Sequence, residues 1–235
     1  MNVMPPDSSD IPRESIWRHY PCVKWLFVAF AGFIGGYLLI DSAFIYRPRG
    51  GPDFRQELNN MRQIGFALME FETEFGKMPD DTTIERVRER YPDTRVPMGN
   101  RSSNDYFHQF FAARIVENPS IFYGTGVATH RASEVVDGQP PLPPGTCGFA
   151  YIIRDGGSKP PTTPLVLYPL IRGELRFDQK LSKRHGNRVI ILAMDNSAKS
   201  HPLDRKGRLI INGRDFFDPA QPHWGGGTFR VVWPE

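Results

Sequence analysis

The longest apolar stretch of the chain lies near the N-terminus. Trp25–Ile40 contains no charged side chain, and mostly apolar residues continue to Tyr46. An α-helix rises 1.5 Å per residue, so about 20 residues cross the ~30 Å hydrocarbon core of a bilayer. Trp25 and Tyr46 stand where interfacial aromatic side chains are expected. The pattern predicts a membrane-spanning helix within Val23–Tyr46, with membrane lipid as its surroundings.

A buried core helix and a cleaved signal peptide are the alternatives for this segment. A core helix of a globular domain would show a polar face, and this segment has none. A signal peptide would need small residues at its cleavage site, and Asp41-Ser42-Ala43 supplies them poorly. We therefore expect an uncleaved anchor.

Small residues in the predicted anchor mark positions where a second membrane helix could pack. Ala31 and Gly35, and likewise Gly32 and Gly36, are four residues apart. This spacing permits close approach of two helix backbones. Gly32, Gly35 and Gly36 are therefore candidate packing residues for self-association through the anchor.

Behind the anchor, the spacing of apolar residues changes to that of an amphipathic helix. Apolar side chains recur every three or four residues over Phe54–Phe75, and Gly76 and Pro79 follow as stop signals. A second helix is predicted at Thr83–Arg90, and a third at about Asn104–Val116, capped by Ser103 or Asn104.

After residue 118 the pattern indicates short strands separated by Pro, Gly, Asp and Asn. Asp195-Asn196 suits a tight hairpin. Helices first and strands later predict an α+β fold, with one long amphipathic helix packed on an antiparallel sheet. The predicted strands are Gly148–Ile153, Leu165–Leu170, Val189–Met194, Ser197–Leu203 and Leu209–Ile211.

These elements divide the chain into four parts. Residues 1–22 are rich in Pro, Ser and Asp and are predicted to form a disordered tail, and residues 23–46 form the anchor. Residues 47–53 contain a Pro/Gly cluster and are predicted to be a linker. Residues 54–235 form one globular domain.

Composition and charge exclude some classes of function. The 29 Lys and Arg against 26 Asp and Glu give a net charge of +3, with the two signs interleaved. A nucleic-acid partner would require a concentrated basic face, so none is predicted. The densest basic run, Lys180–Arg188, is interpreted as a solvated loop, with contact to anionic lipid headgroups as the alternative.

The sequence contains no recognisable catalytic, cofactor or metal-binding motif. The six histidines lack zinc-ligand spacing. Ser197 and Lys199, with His201 nearby, are interpreted as an exposed strand edge. A calcium site at Asp204, Asp215 and Asp218 is the weaker alternative, since their spacing matches no known loop. We predict a protein without enzymatic activity and without a cofactor.

Aromatic residues cluster towards the C-terminus. Phe216, Phe217 and Trp224 are candidate contacts for a partner protein, because aromatic side chains are enriched in binding hot spots. We favour a C-terminal segment that packs back on the sheet, with the exposed contact surface as the alternative.

Several motifs resemble those of type IV pilins and type II secretion pseudopilins. Asn59–Leu68 reads NNMRQIGFAL, and Phe75–Pro79 reads FGKMP. Together with Ser102–Phe107, Cys147–Tyr151 and Phe216–Pro219, they are similar to pilin-like proteins of the Verrucomicrobia type. The resemblance implies a pilin-like domain outside the cytoplasm, anchored in the inner membrane, with other envelope proteins as partners.

The membrane segment and the Pro48–Pro52 break after it depart from the family pattern, in which one long helix is continuous. Pilins carry a glycine cleavage site and an early Glu in the membrane helix, whereas this segment begins Pro21-Cys-Val-Lys-Trp25. We therefore expect an anchored envelope protein with a structural or interaction role in assembly or secretion. A true pseudopilin and an anchored envelope enzyme are the alternatives.

Overall fold

The computed structural model describes residues 52–124 and 139–235. The predicted tail, the predicted anchor with Gly32, Gly35 and Gly36, and most of the predicted linker lie outside these residues. Within the described ranges, no helix has the length and apolar character needed to span a bilayer.

The first layer of the fold is helical. Helix α1 spans Pro52–Phe75, α2 spans Thr83–Arg90 and α3 spans Ser103–Ala112, and a 3-10 turn follows at Pro119–Phe122. The bounds predicted for α2 are confirmed. The predicted C-terminal end of α1 is also confirmed, with Gly76 at a φ of +76° directly after it.

Helix α3 begins earlier and ends earlier than predicted. Its N-cap is Ser102, whose side chain accepts the Asp105 N–H, while the Asp105 carboxylate accepts the Ser102 N–H. This reciprocal capping box fixes the first turn. The helix ends because Arg114 adopts a left-handed conformation, at a φ of +59°.

The second layer is a five-stranded antiparallel sheet. Its strands are β1 (Ala150–Asp155), β2 (Pro164–Tyr168), β3 (Arg188–Ala193), β4 (Ala198–Pro202) and, after a small hairpin of β5 (Ile210–Ile211) and β6 (Arg214–Asp215), β7 (Thr228–Val232). The spatial order is β4-β3-β2-β1-β7. The predicted α+β class with an antiparallel sheet is confirmed, and the predicted turn at Asn196 joins β3 to β4.

Both faces of the sheet are buried. One face, which includes Tyr151, Tyr168 and Leu192, packs in the same core as α1 and α3. Their neighbours along the strands, such as Ile152 and Ile191, point the other way into a second core formed with the C-terminal loops. Because successive side chains are buried on opposite faces of the sheet, the sequences of these strands are nearly continuous apolar runs.

The basic run at residues 180–188 is not a solvated loop. Helix α4 spans Gln179–Arg184, and Asp178 caps it by accepting the Leu181 N–H at 3.0 Å. Ser182 and His185 are buried. The basic side chains Lys183 and Arg184 of this helix face solvent. The His185 ring packs against Phe54 on α1, with 5.4 Å between the ring centroids, and this contact stabilises the segment.

Helix α1 lies in close contact with the sheet at Gly65. A Cβ atom at this position would lie 1.9 Å from Asn196 Oδ1 and 3.1 Å from Leu192 Cδ1. The absence of a side chain therefore lets α1 lie directly on the β3–β4 hairpin, and this contact fixes the helix across that side of the sheet.

Candidate functional site

The predicted partner contact at the C-terminal aromatic residues is wrong. Phe216, Phe217 and Trp224 are at most 9% exposed. The Trp224 ring stacks on Phe229 with a centroid separation of 3.8 Å, and its Nε1–H donates to the Phe216 carbonyl at 3.1 Å. These side chains cover the second face of the sheet, which would otherwise expose its apolar residues. The favoured interpretation, a segment packed back on the sheet, describes them correctly.

The two most exposed large apolar side chains of the described residues lie on α1. Phe66 is 64% exposed and Met69 is 47% exposed, three residues apart on the helix surface away from the sheet. The exposed polar residues Arg62, Gln63 and Glu70 flank them. We call Phe66 and Met69, with these neighbours, the outer face of α1. The sequence indicates this face, because Phe66 and Met69 are apolar but do not belong to the apolar stripe that α1 buries.

A buried polar group joins α1, β2 and α4. The Tyr168 hydroxyl donates to Glu57 Oε1 at 3.0 Å, and His185 Nε2 lies 3.7 Å from Glu57 Oε2. All three side chains are at most 2% exposed. The helical period places Glu57 off the apolar stripe and so predicts exposure, which is wrong. The group is closed to solvent, and its evident role is to hold the three elements together.

A polar network joins the loop before α2, helix α3 and β7. The Tyr106 hydroxyl donates to Asp81, and Arg230 donates to the Tyr106 oxygen at 2.9 Å and to Asp81 at 3.3 Å. Burial, followed by the hydrogen bond to Asp81, raises the pKa of Tyr106. The phenol is therefore protonated at neutral pH and acts as a hydrogen-bond donor.

A largely apolar cavity lies on the second face of the sheet, between β3, β4 and the C-terminal loops. Its volume is about 250 Å³. Ile191, Ala193 and Phe216 line its apolar part, with Ile211 and Pro222 opposite. It forms because the hairpin of β5 and β6 and the 3-10 turn Pro222–Trp224 close over the sheet without filling the space beside β4.

The polar side of this cavity comes from alternate residues of the β4 segment. Ser197, Lys199 and His201 all line it, and His223 lies in the opposite wall. The predicted strand edge at Ser197 and Lys199 is thus also one wall of a cavity, because both residues face the same side of the chain. Burial lowers the pKa of His201, and the positive charges of Arg188 and Lys199 lower it further.

His223 is neutral as well. Burial lowers its pKa, while its Nε2 lies 3.1 Å from the Phe216 carbonyl. A carbonyl only accepts, so Nε2 carries the proton and Nδ1 is the acceptor of the ring. At neutral pH the positive charge of the cavity therefore comes from Lys199.

A second cavity, of about 230 Å³, lies between the loop after α1 and the end of β1. Lys77, Asp80, Arg154, Asp155 and Lys159 line it. Charges of both signs alternate around it, and Lys77 pairs with Asp80. It therefore presents no single charge to a ligand.

The described residues contain no cluster of three His, Cys, Asp or Glu side chains that could hold a metal. Each Asp of the calcium alternative instead binds its own loop. Asp204 accepts the Lys206 and Arg208 N–H groups, Asp215 accepts the Phe217 N–H and Asp218 accepts the Ala220 N–H. These carboxylates stabilise turns.

Comparison with protein-family models, curated proteins and solved structures found no match for the chain.

Proposed function

We propose that the protein is a membrane-anchored, pilin-like component of the cell envelope that acts by contact rather than by catalysis. The outer face of α1 is the observation that carries this proposal. A monomeric domain gains nothing from placing Phe66 in water, and exposed apolar side chains grouped on one surface are typical of interaction sites. The charged residues around them are typical of the polar rim of an interface.

The fold class supports the same proposal. A long helix packed on an antiparallel meander agrees with the domain that the pilin-like motifs imply. The motif NNMRQIGFAL supplies both the glycine that seats α1 on the sheet and the exposed Phe66. The domain is proposed to lie on the non-cytoplasmic side of the inner membrane, held by residues 23–46, and to contact other envelope proteins.

Limited proteolysis of intact cells and of spheroplasts, with a tag at each end, tests the location. We expect the C-terminal tag to be lost only when the envelope is opened, with the Met1 tail retained in the protected fragment. N-terminal sequencing separates this proposal from a true pseudopilin. A mature chain that begins at the membrane segment would favour the pseudopilin, and a domain protected in spheroplasts would contradict both.

Site-specific photo-crosslinking tests the contact surface. A photoreactive phenylalanine analogue at Phe66 is expected to give a discrete adduct with an envelope protein in living cells. The matched control is the same analogue at Leu175, which is 46% exposed in the loop between β2 and α4. Equal adducts at both positions, or none at position 66, would contradict a specific contact at α1.

A further inference from the structure

The cavity beside β4 is separate from the outer face of α1. The residues that line this cavity indicate which class of ligand fits it. The cavity and the outer face of α1 lie on opposite sides of the sheet, because α1 packs on one face and the cavity opens on the other. Contacts made by α1 therefore neither use nor explain the cavity.

The size of the cavity limits its occupant to a small molecule. An apolar cavity of about 150 Å³ in a protein interior is enough to hold benzene. The cavity here measures about 250 Å³, which leaves room for one ring and a small substituent. Ile191, Ala193 and Phe216 would contact the ring, as apolar side chains do in most small-molecule sites.

The charge of the cavity favours an anion. Lys199 lines it, and no acidic residue does. Asp195, in the neighbouring turn, does not line the cavity; it accepts the Ser197 N–H at 2.9 Å, and its charge interacts with that of Lys199. The Lys199 ammonium and the Ser197 hydroxyl lie two residues apart on the same face of the chain and can both donate to one carboxylate.

The neutral imidazoles favour a monocarboxylate over a phosphate. A phosphate dianion is usually held by several cationic or backbone donors. Here a single ammonium group is accompanied by two uncharged histidines and an apolar wall. We propose that the cavity beside β4 binds a small aromatic monocarboxylate, with its ring against Ile191 and Phe216 and its carboxylate at Lys199 and Ser197.

Methyl NMR of the full chain in detergent, with labelled isoleucine, tests this proposal with benzoate as the probe. Ile191 and Ile211 line the cavity, whereas Ile190 and Ile64 are buried in the core on the other face of the sheet. We expect saturable shifts of the Ile191 and Ile211 methyl signals, with Ile190 and Ile64 unchanged. Benzamide, which has the same shape without the charge, is expected to bind roughly tenfold more weakly.

Two variants test separately the contribution of the Lys199 charge and that of the cavity volume. Lys199→Met is expected to weaken benzoate binding roughly tenfold and to leave benzamide binding unchanged. Ala193→Leu places a larger side chain in the cavity and is expected to abolish binding of both. Lys183→Met, an exposed lysine on α4, is the control and should change neither.

Three results would overturn the proposal. The first is the absence of a saturable shift at Ile191 and Ile211 in the wild-type chain. The second is equal affinity for benzoate and benzamide. The third is shifts that spread to Ile190 and Ile64, because benzoate that partitions generally into the protein or the detergent would not distinguish the two faces of the sheet. If Ala193→Leu fails to fold, the Lys199→Met comparison alone decides.

Discussion

At the scale of single residues, Gly65 shows how one position fixes the packing of a helix on a sheet. Glycine in a helix interior costs about 1 kcal/mol relative to alanine. Here the cost is offset because a Cβ would lie 1.9 Å from Asn196 Oδ1. The helical period predicts that Gly65 lies near the buried face. It does not predict which distant residue meets it, because that contact depends on the strand pairing.

Gly65→Ala is expected to lower the free energy of unfolding by about 1–2 kcal/mol, since the new methyl group must displace Asn196. Asn196 has a φ of +58°, which glycine adopts readily. In an Asn196→Gly background the same Gly65→Ala change should therefore be neutral or stabilising. Thermal unfolding of the four proteins measures the coupling, and additive effects of the two substitutions would show that this contact does not limit the packing.

At the scale of elements, the sequence predicts what periodicity and turn residues encode. The apolar stripe of α1 and the short apolar runs of β1 to β4 are sufficient signals, and the observed bounds agree to within about two residues. Strand β7 was missed because its sequence, TFRVV, has only two buried residues and follows a run of glycines. Helix α4 was missed because it is short and polar, and its formation depends on the Asp178 cap and on the burial of His185.

One buried side chain, that of Gln221, supports the small hairpin of β5 and β6. Gln221 Nε2 donates to the carbonyls of Ile211, Arg214 and Asp215, at 2.9, 3.1 and 3.0 Å. Gln221 is 2% exposed. The amide group of Gln221 thus contacts carbonyls of both strands of the hairpin.

Gln221→Glu is expected to lower the free energy of unfolding by at least about 2 kcal/mol, because a buried carboxylate would face three carbonyl acceptors. The thermal midpoint of the full chain measures this loss. Gln63→Glu, on the exposed outer face of α1, is the matched control and should change the free energy by less than about 0.5 kcal/mol. Equal effects at both positions would show that the amide does not support the hairpin.

At the scale of the whole molecule, the sheet is enclosed by helices on one face and by loops on the other. This arrangement explains why the C-terminal aromatic residues are buried, contrary to the prediction of a partner contact. It also explains why the cavity beside β4 could not be predicted. The sequence shows Ser197, Lys199 and His201 at alternate positions of one predicted strand. Phe216 and His223 form the opposite wall of the cavity only because the C-terminal loops fold back over this strand.

Three histidines make the stability of the domain depend on pH. Burial lowers the pKa of His108, His201 and His223 in the folded protein below the ordinary value of 6.5. Below that value the unfolded chain binds more protons than the folded one, so stability falls as the pH falls. Their contribution is complete above about pH 6.5, and decreases towards the folded-state pKa values.

The thermal midpoint is therefore expected to decrease between pH 7.5 and pH 5. His201→Gln should make this decrease smaller, because one of the three groups no longer takes up a proton on unfolding. Thermal scans in buffers of equal ionic strength measure both effects. A midpoint that rises as the pH falls through this range would contradict the burial of these neutral imidazoles.

The position of β7 has a consequence for biosynthesis. Strand β1 pairs on one side with β2, which follows it closely, and on the other with β7, which begins only at Thr228. A ribosome must therefore deliver β2 to β4, helix α4, the hairpin of β5 and β6 and the 3-10 turn Pro222–Trp224 before β1 acquires its second neighbour. A nascent chain interrupted before Thr228 leaves Trp224 without the Phe229 ring on which it stacks. Such a fragment also leaves one edge of β1 without its partner strand, so the sheet and its second core are completed only by the last residues of the chain.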